Sequence, residues 1–131
     1  MARRIEVPIS VGELVDKVTI LAIKFENIAD AGKRANIRRE LDALAGVLKP
    51  LLASAPGLAS LQQELRTVNE ALWRIEDDIR DCERRRDFGP RFIELARSVY
   101  QTNDRRAATK RKIDELMGSD IIEEKSYAPY D

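Results

Sequence analysis

Apolar residues in the second half of the chain recur in alternating steps of three and four: Leu58, Leu61, Leu65, Val68, Leu72, Ile75, Ile79 and Cys82. That period keeps one stripe on one face of a helix, so a long helix is predicted over residues 58–85. After "RDFGP", Phe92, Leu95 and Val99 begin the same repeat, and Ile113 and Leu116 complete it. The fourth predicted helix covers 90–117, with Pro90 suited to its first position and Gly118 ending it. In the first half, Leu14, Val18, Leu21, Phe25 and Ile28 mark a helix over 11–29. It is entered through "SVGE", where the Ser10 hydroxyl and the Glu13 N–H, and reciprocally the Glu13 carboxylate and the Ser10 N–H, have capping-box spacing. "DAGK" breaks the stripe, and Ile37, Leu41, Leu44 and Leu48 restart it from about residue 33. Pro50 disfavours continuation, although Leu51 and Leu52 keep the spacing and leave a kinked extra turn open. "ASAPG" reads as a linker.

Both ends lack a helical stripe. Ile5, Val7 and Ile9 alternate with polar residues and Pro8, which predicts an extended arm over 1–10. The tail over 118–131 contains Pro129 and reads as extended, docked or mobile. The reading is therefore one all-α domain over 1–131: an antiparallel four-helix bundle over 11–117, a long C-terminal hairpin within it, and two extended ends.

The third and fourth helices test each other. In an antiparallel hairpin turning near Phe88, the numbers of facing residues add to a nearly constant value. Cys82 then faces Leu95, Ile79 faces Val99, Leu65 faces Ile113 and Leu61 faces Leu116. The same register puts Thr102, Arg106 and Thr109 opposite Ile75, Leu72 and Val68, so the middle of the seam is polar on one side. A buried guanidinium without a partner costs several kcal/mol. Arg106 must therefore snorkel to water or meet a carboxylate, for which Glu70, Glu76, Asp16 and Glu26 are candidates.

Composition narrows the chemistry. The chain has 131 residues and no histidine. That removes histidine-based triads, most zinc sites and Glu-x-x-His metal patterns, and no metal or cofactor is expected. Cys82 is the single cysteine. It lies on the apolar stripe, so it reads as a small core residue, and a reducing, cytoplasmic location fits. Basic and acidic residues number 23 each. The basic run "RRAATKRK" is followed closely by Asp114, Glu115, Asp120, Glu123 and Glu124, which would repel phosphate, so nucleic acid is not expected as a partner. The least charged window contains Lys49, Pro50, Pro56 and Gly57, so a membrane span is not expected either.

Two places could carry function. The first is the polar centre of the hairpin, where Arg97, Asn103, Arg105, Arg106, Glu76 and Trp73 are the candidate ligand contacts. Arginine offers a planar fork to a carboxylate or phosphate, and neighbouring carboxylates set its rotamer. The opposing reading is an ion-pair network that fixes helix register. The second is "EEKSYAPYD", from which Lys125 and Tyr127 could close over that centre as a lid, against simple packing of a tied-down terminus.

The strings "SVGELVDKVTIL", "LWRIEDDIR", "FIELARSVYQTNDRRAATKRKI" and "EEKSY" together resemble a family of short bacterial proteins catalogued as a domain of unknown function. The resemblance spans residues 7–130. It implies no activity. Domains similar to these occur alone or attached to glycosyltransferase-like or repeat-containing bacterial proteins, which implies a cell-surface carbohydrate context. A looser resemblance is to all-helical chorismate mutases, which clamp a dianion with arginine and lysine and need no metal. Arg97, Arg105, Arg106 and Lys24 would suit that logic, but the arginine-bearing first-helix pattern of those enzymes is missing here. The leading expectation is a non-catalytic binding or interaction module, with an unknown protein partner or a homodimer. The alternative is a small cofactor-free enzyme or sensor for an anionic metabolite.

Overall fold

The computed structural model describes residues 3–130 and contains four helices. They are α1 (Val11–Asn27), α2 (Ala31–Ser54), α3 (Leu58–Arg84) and α4 (Pro90–Met117). The fold is the expected all-α bundle with a long antiparallel α3–α4 hairpin. Residues 3–10 and 119–130 carry no regular structure among the described residues. Met1, Ala2 and Asp131, which the sequence assigns to the arm and the tail, lie outside the described residues.

The helix ends follow local chemistry, with three departures from expectation. Ser10 Oγ accepts from Glu13 N–H at 3.1 Å, which is half of the expected capping box. The other half does not form, because the Glu13 carboxylate is drawn to Lys110 Nζ at 2.7 Å. A full charge–charge contact outcompetes a hydrogen bond to one backbone N–H. α1 stops two residues early, and α2 starts at Ala31 because Asp30 Oδ2 caps the Lys33 N–H at 2.9 Å. Arg34 closes the joint between them, donating to the carbonyls of Phe25 and Ile28 while its guanidinium lies 3.8 Å above the Phe25 ring. α2 also takes the extra turn that the spacing of Leu51 and Leu52 left open, running through Pro50 to Ser54. Leu48, Leu51 and Leu52 pack on the core there, and tertiary burial outweighs the lost backbone hydrogen bond.

The core lies at the base of the hairpin. Leu14, Val15 and Val18 of α1, Leu48 of α2, Leu58 and Leu65 of α3, and Ile113 of α4 form one buried cluster. Leu65 and Ile113, assigned to face one another, are both fully buried. Cys82 and Leu95, their counterparts near the tip, are buried too. The expected pair at the base is looser: Leu116 is 47% exposed and lies instead beside the α2–α3 turn at Gly57.

α1 crosses the hairpin diagonally. Its start rests on α4, where Gly12 N–H donates to Asp114 Oδ1 at 2.6 Å and Val11 N–H to Ser119 Oγ at 3.1 Å. Its end reaches α3, where Glu26 pairs with Arg66. The Asp114 carboxylate thus sits at the positive end of the α1 dipole. The approach is so close that a Cβ at Gly12 would lie 2.5 Å from the Lys110 carbonyl and 2.8 Å from Asp114 Oδ1. Beyond α1 the hairpin continues uncovered to its tip, where Phe88 and Ile93 are exposed.

Two glycine substitutions should separate these effects. Gly12→Ala is expected to destabilise by about 1–3 kcal/mol, because the backbone carbonyl it meets cannot yield and overpacking exceeds the gain in helix propensity. Gly46→Ala, in α2 with nothing within 4 Å of the new Cβ, should stabilise by about 0.5–1 kcal/mol. Urea unfolding midpoints at unchanged m-value measure both.

Candidate functional site

The polar seam is organised around Asp16. Its position on α1 is one turn after the capped start, on the face that crosses the hairpin. Its side chain is 1% exposed. Arg106 approaches with its guanidinium side-on: Nε donates to Asp16 Oδ1 at 3.0 Å and Nη2 to Oδ2 at 2.5 Å. Asn69 Nδ2 of α3 donates to Asp16 Oδ1 and to Thr19 Oγ1, both at 2.9 Å. Thr19 in turn donates to the Asp16 carbonyl at 2.8 Å. The carboxylate therefore bridges α1, α3 and α4. Of the four carboxylates that the sequence offers to Arg106, Asp16 takes it. Glu26 and Glu70 hold Arg66, and Glu76 holds Arg80.

Lys110, buried one turn further along α4, extends the network. Its ammonium sits 2.7 Å from Glu13, 2.7 Å from Glu123 and 4.0 Å from Asp16. Burial works against its charge, but the hydrogen bonds to Glu123 and Glu13 prevail and hold its pKa above the ordinary lysine value. The Asp16 contact likewise raises Arg106 despite burial. The two other seam positions are satisfied locally. Thr109 Oγ1 donates to the Arg105 carbonyl at 3.0 Å, and Thr102 Oγ1 accepts from Arg105 Nη2 at 3.2 Å. Among the described residues no buried side-chain nitrogen or oxygen lacks a partner.

Lys110–Glu123 also fixes the tail. Arg111 meets Glu124 at 3.4 Å, and further on Tyr130 Oη donates to Asp104 at 2.7 Å while its ring packs 5.1 Å from Tyr100. The tail thus runs back along α4 in the antiparallel sense. Of the acidic residues after the basic run, Glu115, Glu123 and Glu124 pair with it. Lys110 also holds the Glu123 carboxyl below its ordinary value.

Arg106 borders three clefts, of which one of about 240 Å³ beside Lys110, Glu123 and Lys125 is the smallest and the other two are larger. Of these two, the first, about 580 Å³, lies between the second half of α1 and the uncovered hairpin. Ile20, Ile23 and Leu72 are its apolar lining; Lys24, Trp73, Glu76, Asp77, Arg80, Asn69, Asn103 and Arg106 are its polar lining. The second, about 910 Å³, lies between α4 and the tail, and Asn103 and Arg106 line it too, with Tyr100, Lys125, Tyr127 and Tyr130. Of the expected site residues, Trp73, Glu76, Asn103 and Arg106 come together at the first cleft, and Lys125 and Tyr127 join Asn103 and Arg106 at the second. Arg97 and Arg105 line neither; both are exposed. Their positions on α4 are rotated away from the seam that Thr102, Arg106 and Thr109 define.

Lys110 and Glu13 were not read as site residues from the sequence, and Asp16 was one of four candidate partners of Arg106. What singles Asp16 out among the four is its place between Val15 and Val18 on the buried side of α1. Among the described residues no group of three histidine, cysteine, aspartate or glutamate side chains could hold a metal ion, and no helix is long and apolar enough to cross a membrane. Comparison of the chain with protein-family models, with curated proteins and with solved structures finds no match in any of the three.

The network makes two predictions. Arg106→Ala strands a buried carboxylate and should cost about 3 kcal/mol, the low end for buried pairs because Arg106 keeps contact with water. Arg106→Lys should recover less than half of that loss, since a point charge cannot reproduce the two-pronged contact; chemical denaturation measures both. The second concerns pH. Because the folded Glu123 carboxyl lies below its unfolded value of about 4.5, the anchor of the tail is fully formed above that pH. It is lost as pH falls through the folded value. The NMR ring resonances of Tyr130 should move to random-coil positions over that acid window, and in Glu123→Gln they should already be displaced at pH 7.

Proposed function

We propose that the protein is a non-catalytic binding module whose α1–hairpin cleft takes a small organic anion. The observation that carries this is Lys24. The residue is partly buried on the cleft wall and, among the described residues, has no ion-pair partner. A lysine on a cleft wall with no protein counter-charge is available to an anionic ligand. Arg106 adds to it. The side-on contact with Asp16 occupies Nε and one Nη2 proton, and the outer edge of the guanidinium remains for a second acceptor. Asp16 and Asn69 hold that edge rigidly, which lowers the entropic cost of binding. The indole N–H of Trp73 and the amide of Asn103 also have no protein partner among the described residues. The volume is in the range of small-molecule sites.

Binding rather than catalysis is the better reading because the lining contains no hydroxyl or thiol nucleophile, and of its two carboxylates, Glu76 and Asp77, the first is engaged by Arg80. The resemblance to bacterial domains of unknown function is compatible with this reading and adds no activity to it. The expected lid is compatible as well, since the tail brings Lys125 and Tyr127 to the far side of Arg106.

Trp73 is the only tryptophan, so its fluorescence reports on the cleft. A panel of small organic carboxylates, with and without amino groups, should contain compounds that change this signal and raise the melting temperature with dose. Lys24→Ala should weaken them at least about tenfold, the scale of one charge-assisted hydrogen bond, with little loss of stability. Arg97→Ala and Arg105→Ala should bind as the unmodified protein does. Absence of any such compound, or unchanged binding by Lys24→Ala, would refute the proposal.

A further inference from the structure

We infer that the ligand of the α1–hairpin cleft is a zwitterion of the amino-acid class, a carboxylate and an ammonium on an apolar body. This rests on the organic-anion reading of the same cleft. The charges lining the cleft are Lys24, Arg80 and Arg106 on one side of the balance and Glu76 and Asp77 on the other. Three of them already face protein counter-charges: Arg106 with Asp16, and Arg80 with Glu76. One cation, Lys24, and one anion, Asp77, are left without ion-pair partners among the described residues. Asp78, the next residue, is committed to Arg91 outside the cleft.

A ligand complementary to this remainder carries one charge of each sign. Its carboxylate would take Lys24, with the Trp73 indole N–H, the Asn103 amide and the free Arg106 edge as the further donors of the lining. Its ammonium would take Asp77, with Glu76 beside it. The stretch of Ile20, Ile23 and Leu72 between polar groups would cover an aliphatic or aromatic body. A phosphate or dicarboxylate fits worse. It would bring two negative charges to one uncommitted ammonium while facing both carboxylates, and like charges in a partly dehydrated cleft oppose binding.

Matched probes test this on the full chain. The twenty protein amino acids are titrated against Trp73 fluorescence. For leucine and phenylalanine, the acids lacking the amino group (4-methylpentanoate, 3-phenylpropionate) and the amines lacking the carboxylate (3-methylbutylamine, 2-phenylethylamine) are titrated in parallel. At least one amino acid should bind, and leucine or phenylalanine should bind about tenfold or more tightly than both of its truncated counterparts. Asp77→Asn, at an exposed position that should not disturb folding, should abolish the preference over the acid lacking the amino group. It should leave the affinity for that acid unchanged or higher. Equal affinity for an amino acid and its desamino acid overturns the zwitterion while leaving the organic-anion reading intact. Retention of the full preference in both Asp77→Asn and Glu76→Gln overturns it equally. If no carboxylate of either kind binds, the reading of the cleft fails and this inference fails with it.

Discussion

One buried carboxylate holds three helices in register. Asp16 lies where α1 crosses the hairpin, and it accepts from Arg106 of α4 and Asn69 of α3 at the same time. Removing a carboxylate and a guanidinium from water costs several kcal/mol per ion, and their attraction offsets this only when geometry is good and the remaining lone pairs are used. Both conditions are met. The contact is side-on and two-pronged, and the Asn69 amide and the Lys110 ammonium face the same group. Any slide of α1 along the hairpin would break several of these bonds at once. Apolar packing alone is far less particular, since side chains such as Leu14 and Val18 can repack after a shift.

The network also explains the shape of the surface around it. Arg106 is committed to Asp16 on one edge only, so it is fixed in place while its other edge reaches the clefts on either side. Because α1 crosses diagonally, it covers the base of the hairpin and leaves the distal part bare. The first cleft is the angle between them. The second exists because Lys110 has charge to spare for Glu123, which turns the tail back along α4. Structural and binding roles therefore meet in the same residues: the pair that fixes register also presents the donors of the candidate site.

Much of the fold was legible in the chain. The 3-4 repeats of α3 and α4 located both helices and their pairing, because a helix whose apolar face is one stripe has one way to bury it. The polarity of Thr102, Arg106 and Thr109 on that seam was equally legible. Their partners were not. Asp16 reads as one of four candidate carboxylates, and Glu13 reads as a capping residue, until the crossing of α1 brings both to α4. Pro50 left the end of α2 open for a related reason: the local penalty and the spacing of Leu51 and Leu52 were both visible, and the core contacts that decide between them were not.

The sequence by itself determined four helices, an antiparallel hairpin, a core cysteine and a charged residue on a seam that demanded a counter-charge, because these follow from periodicity and from the cost of an unpaired buried ion. Only the tertiary structure decided which carboxylate answers Arg106, which arginines face a cleft and where the tail lies. Four acidic residues were chemically equivalent candidates for Arg106. The angle at which α1 crosses the hairpin distinguishes them, and that angle is set by long-range packing: by Gly12 against the Lys110 carbonyl, and by the apolar cluster beneath.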